Sequence, residues 1–479
     1  MAKATISKGV KTKTTWANAL KRDWQLYLLL MIPVALVVIF NYASYGGIRM
    51  VFMDYKPAKG YAGSKWVGWA TFQKVFKDKD FIRALKSSIV FNLLDLAVGF
   101  PMPIILALIL NELRFPRFKK VTQTILYLPH FLSWVIVGSV AYQMFRPTTG
   151  MVNVFLMNAG IIQNGIPFLT EKWHWAVTYL LIGVWQGMGW GTIIYLAAIT
   201  GISGELYEAA MIDGANRWQR MWNITLPGIR GTVVTLLIMN LGKVMGSNYE
   251  RLDQFGNTQV KDFSYQLAIY IYDKGLASAK FSMATAVGLF QSLVGLVLVL
   301  LSDRIAKMLG EEGRAITKFH VSDVVMVVIL VILCATCVVP FIHLLAKSVS
   351  SNTAVLAKRV SFWPIGFNLD AYTSIFEDGS MVSSFLYSVI VTLVFTLMGM
   401  IACTCAAYPL SRKRLKGRTF FTFILMFPMY FSAGLIPTYL LYSDLHMLDT
   451  VWVLILPLIY APYNMLIMKT YFQSNIPDS

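Results

Sequence analysis

Long apolar stretches separated by short polar ones run through the chain almost from end to end. Runs near residues 26-44, 85-111, 123-145, 174-200, 229-247 and 281-302, and again near 321-345, 383-408, 420-442 and 450-469, reach the length of roughly 17–25 residues that a helix needs to cross hydrocarbon. The pattern predicts an all-α, polytopic transmembrane helical protein of about ten spans. Internal Pro and Gly, as in FPMP (residues 100-103) and GVWQGMGWG (residues 183-191), are tolerated better in membrane helices than in soluble ones. One segment breaks the pattern: ELYEAAMIDGANRWQRMWNITLP, residues 205-227, is a polar, charged island.

Composition agrees with the pattern. The 479 residues are 57% hydrophobic and only 14% charged, with a mean hydropathy of +0.60, which excludes an ordinary soluble globular protein. A net charge of +18 points to topology and anionic lipid rather than to nucleic acid, because the basic residues lie in loops next to the spans. The basic tail (Lys3, Lys8, Lys11, Lys13, Lys21, Arg22) places the N-terminus in the cytoplasm, and alternation of spans then puts RFPRFKK (114-120), DRIAKMLGEEGR (303-314), SRKRLKGR (411-418) and the polar island on the same side. The Lys-rich outer loop 45-84 is the exception. The first span lacks an A-x-A-like cleavage site and is expected to stay as an anchor.

Two halves emerge when the polar landmarks are compared. After a cytoplasmic N-terminal tail (1-24), residues 25-302 form a first unit of six spans carrying the island (about 201-227). A charged cytoplasmic linker, 303-320, leads to a partial second unit of four spans, 321-479. In this repeat SNIPDS (474-479) aligns with TGISGE (200-205), so a second island is expected to follow it, outside this sequence.

The island has the grammar of two short helices joined by a tight turn. Ser203 is placed to cap the first, Asp213-Gly214 supplies a turn in which Gly takes positive φ, and Asn216 with Gln219 three residues on reads as a capping box. Pro227 is expected to close the second helix before the next span. Ala209, Ala210, Gly214 and Ala215 let another surface approach closely, while Glu208, Asp213, Arg217 and Arg220 offer charges for partner choice. An ordinary amphipathic interfacial loop has the same features.

Residues 208-227, EAAMIDGANRWQRMWNITLP, resemble the EAA loop of ABC-type importer permeases: Glu208, Ala209, Ala210, Asp213, Gly214, Ala215, Ile224, Leu226 and Pro227 fall on its positions. Met221 stands where the family usually has Phe, with Trp222 adjacent, so the knob that enters the partner groove is assigned to neither. Residues from about 20 to 312 resemble one permease of a binding-protein-dependent carbohydrate importer of the maltose and oligosaccharide type. Residues from about 318 to 479 are similar to its partner permease, through FWPIGFNLDAY, AAYPLSRKRLKGRTFF and GLIPTYLL. The resemblance therefore implies two fused permease units with a maltose-importer-like (type I ABC importer) fold, the second truncated before its own EAA loop. It further implies a multi-pass protein of the bacterial plasma (inner) membrane that forms a sugar path. Its partners would be a cytoplasmic ABC ATPase dimer, an extracytoplasmic sugar-binding protein and a further permease chain to supply the second docking loop. The chain has no phosphate-binding loop, its Gly242-Lys243 pair having Leu237 where the first Gly belongs, so no cofactor is expected on it and ATP-Mg is placed on the partner ATPase.

Within the membrane, Asp95 is the one carboxylate near the middle of a span, with Lys243 as a possible mate unless that side chain snorkels to the interface. Trp185, Gln186, Trp190, Tyr195 and Asn240 offer the stacking faces and hydrogen-bond partners that a sugar path needs, although each also suits packing. Cys334, Cys337, Cys403 and Cys405 lie in apolar spans without His, Asp or Glu beside them, which argues for buried small hydrophobes and not a metal site. His130, His174, His320, His343 and His446 show no ligand spacing, and no catalytic constellation stands out for a membrane enzyme acting on lipid-linked sugars. An ion-coupled secondary sugar transporter is the alternative, but it calls for several midplane ionisable groups where this chain offers one.

Overall fold

The computed structural model describes residues 16–113, 115–308, 323–357 and 359–476. Most of the N-terminal tail, most of the linker 303–320, Arg114 and the end of SNIPDS lie outside the described residues, and with them the expectations placed there. In chain order the helices that position the sites are α1 (Trp24–Val37), α2 (Lys79–Gly99), α3 (Pro101–Glu112), α4 (Pro116–Tyr127), α5 (Trp134–Phe145), α6 (Lys172–Thr200), α7 (Gly204–Ile212) and α8 (Arg217–Arg220). They continue with α9 (Arg230–Gly242), α10 (Tyr249–Phe255), α11 (Phe281–Met308), α12 (Asp323–Ser348), α13 (Ser380–Ser411), α14 (Arg418–Met426), α15 (Leu435–Asp444) and α16 (Pro462–Asn475). Strand pairing among the described residues is one short antiparallel hairpin, β1 (Met53–Asp54) with β2 (Lys65–Trp66).

The all-α class stands, while the count of ten spans is not matched exactly. Among the described residues, six helices are long and apolar enough to cross a membrane: Trp24–Phe52, Lys79–Glu112, Lys172–Thr200, Phe281–Ser302, Val328–Ser348 and Ser380–Ser411. The count becomes eight if two bent pairs each serve as one span. The pair Pro116–Phe131 and Trp134–Phe145 bends by 103°. There Pro129 sits in a tight turn and the Ser133 hydroxyl accepts the Ile136 N–H at 3.4 Å, starting α5 in a new direction. The expected spans at 420-442 and 450-469 are interrupted for similar reasons. A turn containing Pro428, then Gly434 at φ +91°, separates α14 from α15, and Pro462 opens α16 as a fresh helix.

The helices gather into two compact units, Met1–Arg49 with Val382–Ser479, and Met50–Met381. In the first, Leu26, Leu30 and Val37 pack with Ala406, Ala407 and Leu410 of α13, Leu425 of α14 and Met465 of α16. The Tyr27 hydroxyl donates to the Lys416 carbonyl at 2.9 Å and the Tyr42 hydroxyl to that of Ile424 at 3.1 Å. In the second unit, α12 contributes Leu330 and Cys337 to a cluster with Leu106 and Leu110 of α3, Leu126 of α4, and Val184 and Met188 of α6. Cys337 fills that cluster as a small apolar side chain. Each unit thus draws its helices from both sequence halves.

Where lipid supplies no hydrophobic driving force, helices associate through close packing, and small residues permit it. Gly189 of α6 is the tightest such place in the second unit, since a Cβ there would land on the Leu126 carbonyl group. Gly189→Ala is expected to force α6 from α4 and destabilise the protein by about 1–3 kcal/mol. Thermal unfolding of the purified protein in detergent checks this, and an unchanged midpoint would contradict the close approach. At the start of α2, the Asp78 carboxylate accepts the Asp80 N–H at 2.9 Å and pairs with Lys274 at 3.2 Å. Burial pushes its pKa up, but the Asp80 N–H, Lys274 and the Tyr270 hydroxyl outweigh this and hold it below the usual carboxylate value.

Candidate functional site

The polar island folds as an elbow. Ser203 occupies the N-cap of α7, but its side chain makes no capping hydrogen bond. The α7 helix ends as the Asp213 N–H donates to Ala209 O (3.0 Å), the Gly214 N–H to Met211 O (3.1 Å) and the Ala215 N–H to Ala210 O (2.8 Å). Gly214 turns the chain at φ +75°. The expected capping box is present: the Gln219 N–H donates to Asn216 Oδ1 at 2.9 Å, and the Asn216 N–H to Gln219 Oε1 at 2.7 Å. A hydrogen bond of 2.9 Å between the hydroxyls of Tyr207 and Thr225 ties the two arms together.

Pro227 does not close the second arm as expected. It lies in the first turn of a short helix, Leu226–Gly228, where its missing N–H is harmless, and the chain then bends by 58° into α9. Met221 is turned inward, 6% exposed, against Ala107, Leu108, Tyr195 and Ile199, whereas its neighbour Trp222 is 56% exposed. Glu208, Ala209, Asp213, Gly214 and Pro227 are exposed; Ala210, Ala215, Ile224 and Leu226 are half-buried. The outer surface of α7 carries Leu206, Met211 and Ile212, the last 87% exposed. An apolar tip on a capped, cross-tied elbow is suited to insertion into a partner's groove.

A second feature lies where α2, α3, α6 and α9 meet the segment leading to α10. It is a cavity of about 420 Å³, within the range of roughly 300–1,000 Å³ for small-molecule sites. Its polar lining includes Asn92, Asp95, Tyr195, Asn240, Lys243 and Arg251. Phe100, Pro103 and Leu236 supply apolar surface. Three of the sequence-predicted path residues therefore converge here: Asp95, Tyr195 and Asn240. Trp185, Gln186 and Trp190 are not among its lining residues. On α6 the cavity is lined by Tyr179, Gly191, Ile194 and Tyr195, while the other three side chains are engaged elsewhere. Trp190 stacks on the His130 ring at 4.7 Å, the Gln186 amide donates to His130 O at 3.4 Å, and Trp185 packs against two apolar clusters.

The mate of Asp95 is Arg251, not Lys243. Arg251 Nη1 lies 2.7 Å from Asp95 Oδ2, with side chains 7% and 30% exposed. The guanidinium also donates to Tyr179 O, sits 3.7 Å from the Tyr179 ring centre and 5.4 Å from that of Trp134. Sequence reasoning missed Arg251 because SNYERLDQF reads as an ordinary polar loop, and its partner is 156 residues away.

Over residues 99–312 the chain matches the family described as binding-protein-dependent transport system inner membrane component. It is 40% identical over 310 residues, 65% of this chain and 96% of the other, to the polygalacturonan/rhamnogalacturonan transport system permease protein YteP of Bacillus subtilis (strain 168). It is 43% identical over 143 residues, 30% of this chain and 50% of the other, to YtcP, a permease protein named for the same system in the same organism. Among solved structures, that of a bacterial alginate ABC transporter in complex with an alginate pentasaccharide-bound periplasmic protein matches at 36% identity with a TM-score of 0.56, covering 62% of this chain and 98% of that one.

Proposed function

The chain belongs to the binding-protein-dependent transport system inner membrane components, and we propose that within such a system it is driven through its elbow by an ATPase on a separate polypeptide. It is a multi-pass permease subunit of an ABC-type carbohydrate importer. In the proposed mechanism the elbow, residues 204–228, lies at the cytoplasmic face and docks into a groove of one ATPase subunit, where ATP-Mg is bound and hydrolysed. Closure of the ATPase dimer moves the elbow as a rigid lever and switches the path between its two openings. The cavity beside Asp95 is read as a segment of that path, filled from a sugar-binding protein on the opposite face. Residues 321–479 serve as partner-permease sequence within the same chain; the matches to YteP and YtcP are together shorter than the 479 residues available.

The observation that carries the coupling reading is the apolar tip held out by the capped elbow, with Ile212 87% exposed. Ile212→Asp is expected to leave membrane insertion and yield within about two-fold while co-purification of the ATPase falls by about ten-fold or more, the equivalent of ~1.4 kcal/mol. If Ile212→Asp and Trp222→Asp both retain the ATPase and full transport, the elbow is not the docking element.

A further inference from the structure

We propose that the cavity is selective for acidic sugars, with Lys243 pairing with the carboxylate of a uronate-containing oligosaccharide. This assignment rests on the reading of the cavity as part of the sugar path. Three strongly ionisable side chains line it: Asp95, Lys243 and Arg251, together with the hydroxyls of Tyr179 and Tyr195. Arg251 and Asp95 pair with each other, at 2.7 Å and 3.5 Å, and so cancel as charges. The Lys243 side chain makes no hydrogen bond or ion pair with any described residue, its backbone alone being engaged, with Asn240 O and the Gly246 N–H. The cavity therefore carries one uncompensated positive charge.

Its position is built. Lys243 is the C-cap of α9, where the helix stops and the chain runs through two turns before α10 starts. Broken helices at membrane depth are tolerated where the freed backbone lines a cavity. The break is held in place because Gly242 and Gly295 of α11 meet at close range: a Cβ on Gly242 would strike Val299, and one on Gly295 would strike the Gly242 carbonyl oxygen. A cation at a helix C-terminus also complements the helix dipole. That interaction leaves all three ammonium N–H donors available.

A carboxylate is the ligand group that uses them best, since charge-assisted hydrogen bonds are roughly twice as strong as neutral ones. The surrounding groups suit the rest of a sugar. Asn240 uses its amide N–H on Leu236 O at 2.8 Å, leaving Oδ1 to accept from a hydroxyl, and Phe100 and Pro103 offer apolar faces to the ring. Neutralisation of Asp95 by Arg251 removes the one charge that would repel an acidic ligand.

Binding of trigalacturonate and of its fully methyl-esterified form to the full chain in lipid nanodiscs tests the proposal, because the two probes differ chiefly in charge. The acid is expected to bind at least ten-fold more tightly than the ester. Lys243→Gln should weaken the acid by ten-fold or more and leave the ester within two-fold, whereas Lys243→Arg should retain most of the preference. Equal binding of acid and ester to the native chain, or a preference that survives Lys243→Gln, overturns the charge selectivity while leaving the cavity a sugar site. If neither probe binds, both the selectivity and the reading of the cavity as a sugar path fall.

Discussion

Gly214→Val is expected to cut coupled transport and ATPase association by about ten-fold or more while membrane insertion and yield stay within about two-fold. The reason is conformational. Gly214 sits at φ +75°, and nothing lies within 4 Å of where a Cβ would stand, so a side chain meets space and not a neighbour. An L-residue in that region costs roughly 1–2 kcal/mol, and a β-branched one suffers most. The cheapest relief is for the turn to change its φ, which swings α7 relative to α8 and displaces Leu206, Met211 and Ile212 together. Gly214→Asn separates this from a contact effect, because Asn visits the left-handed region readily. It should keep most of the coupling. If Asn is as damaging as Val, the space in front of Gly214 and not the turn is what matters. Uptake in proteoliposomes alongside ATPase co-purification gives both readouts.

The second large effect is expected at the ion pair. Arg251→Met removes the 2.7 Å partner of Asp95 and leaves Lys243 as the remaining cation lining the cavity; losing one partner of a largely buried pair costs about 3 kcal/mol. It also removes the bond to Tyr179 O and the stacking on Tyr179 and Trp134. Most of the variant should fail to fold as a monodisperse protein in detergent. Asp95→Asn should cost less, since the amide oxygen still accepts from Arg251 Nη1. The double variant, Asp95→Asn with Arg251→Met, should recover part of the loss, because neither member of the ion pair is then left charged without the other. Thermal midpoints of the four proteins form a double-mutant cycle; additive losses would show that the two side chains act independently.

How far these sites could be read from the sequence differs between them, and the difference is physical. The elbow was legible almost residue by residue because its determinants are local. A left-handed glycine, an Asn-x-x-Gln capping box and two short helical runs all act within a few residues of one another. Its departures are small: an N-cap Ser203 without its hydrogen bond, a Pro227 that begins a turn of helix instead of ending one, and a Met221 that faces inward. The third of these needed the position of Ala107 and Ile199, which no local pattern carries.

The cavity was only half legible. Asp95, Tyr195 and Asn240 were found as polar groups in apolar runs, but their convergence, and the engagement of Trp185, Gln186 and Trp190 with His130 and the apolar clusters instead, depend on which elements pack against α6 at each level. The count of ten spans was not matched exactly for a related reason. Apolar length shows that a segment prefers lipid, yet whether Pro129, Pro428 or Pro462 kinks a helix or ends it depends on which neighbours take up the freed backbone groups.

By itself, then, the sequence determined that this is a helical membrane protein with one polar elbow, because hydrophobic length and short-range hydrogen bonding are properties of contiguous residues. Only the tertiary structure decided that Arg251 and not Lys243 holds Asp95, that the helices regroup across the two sequence halves, and that one lysine is left over in the cavity. Pairing in space between residues 156 positions apart leaves no local trace, since either cation satisfies the same requirement for charge balance until the helices are packed.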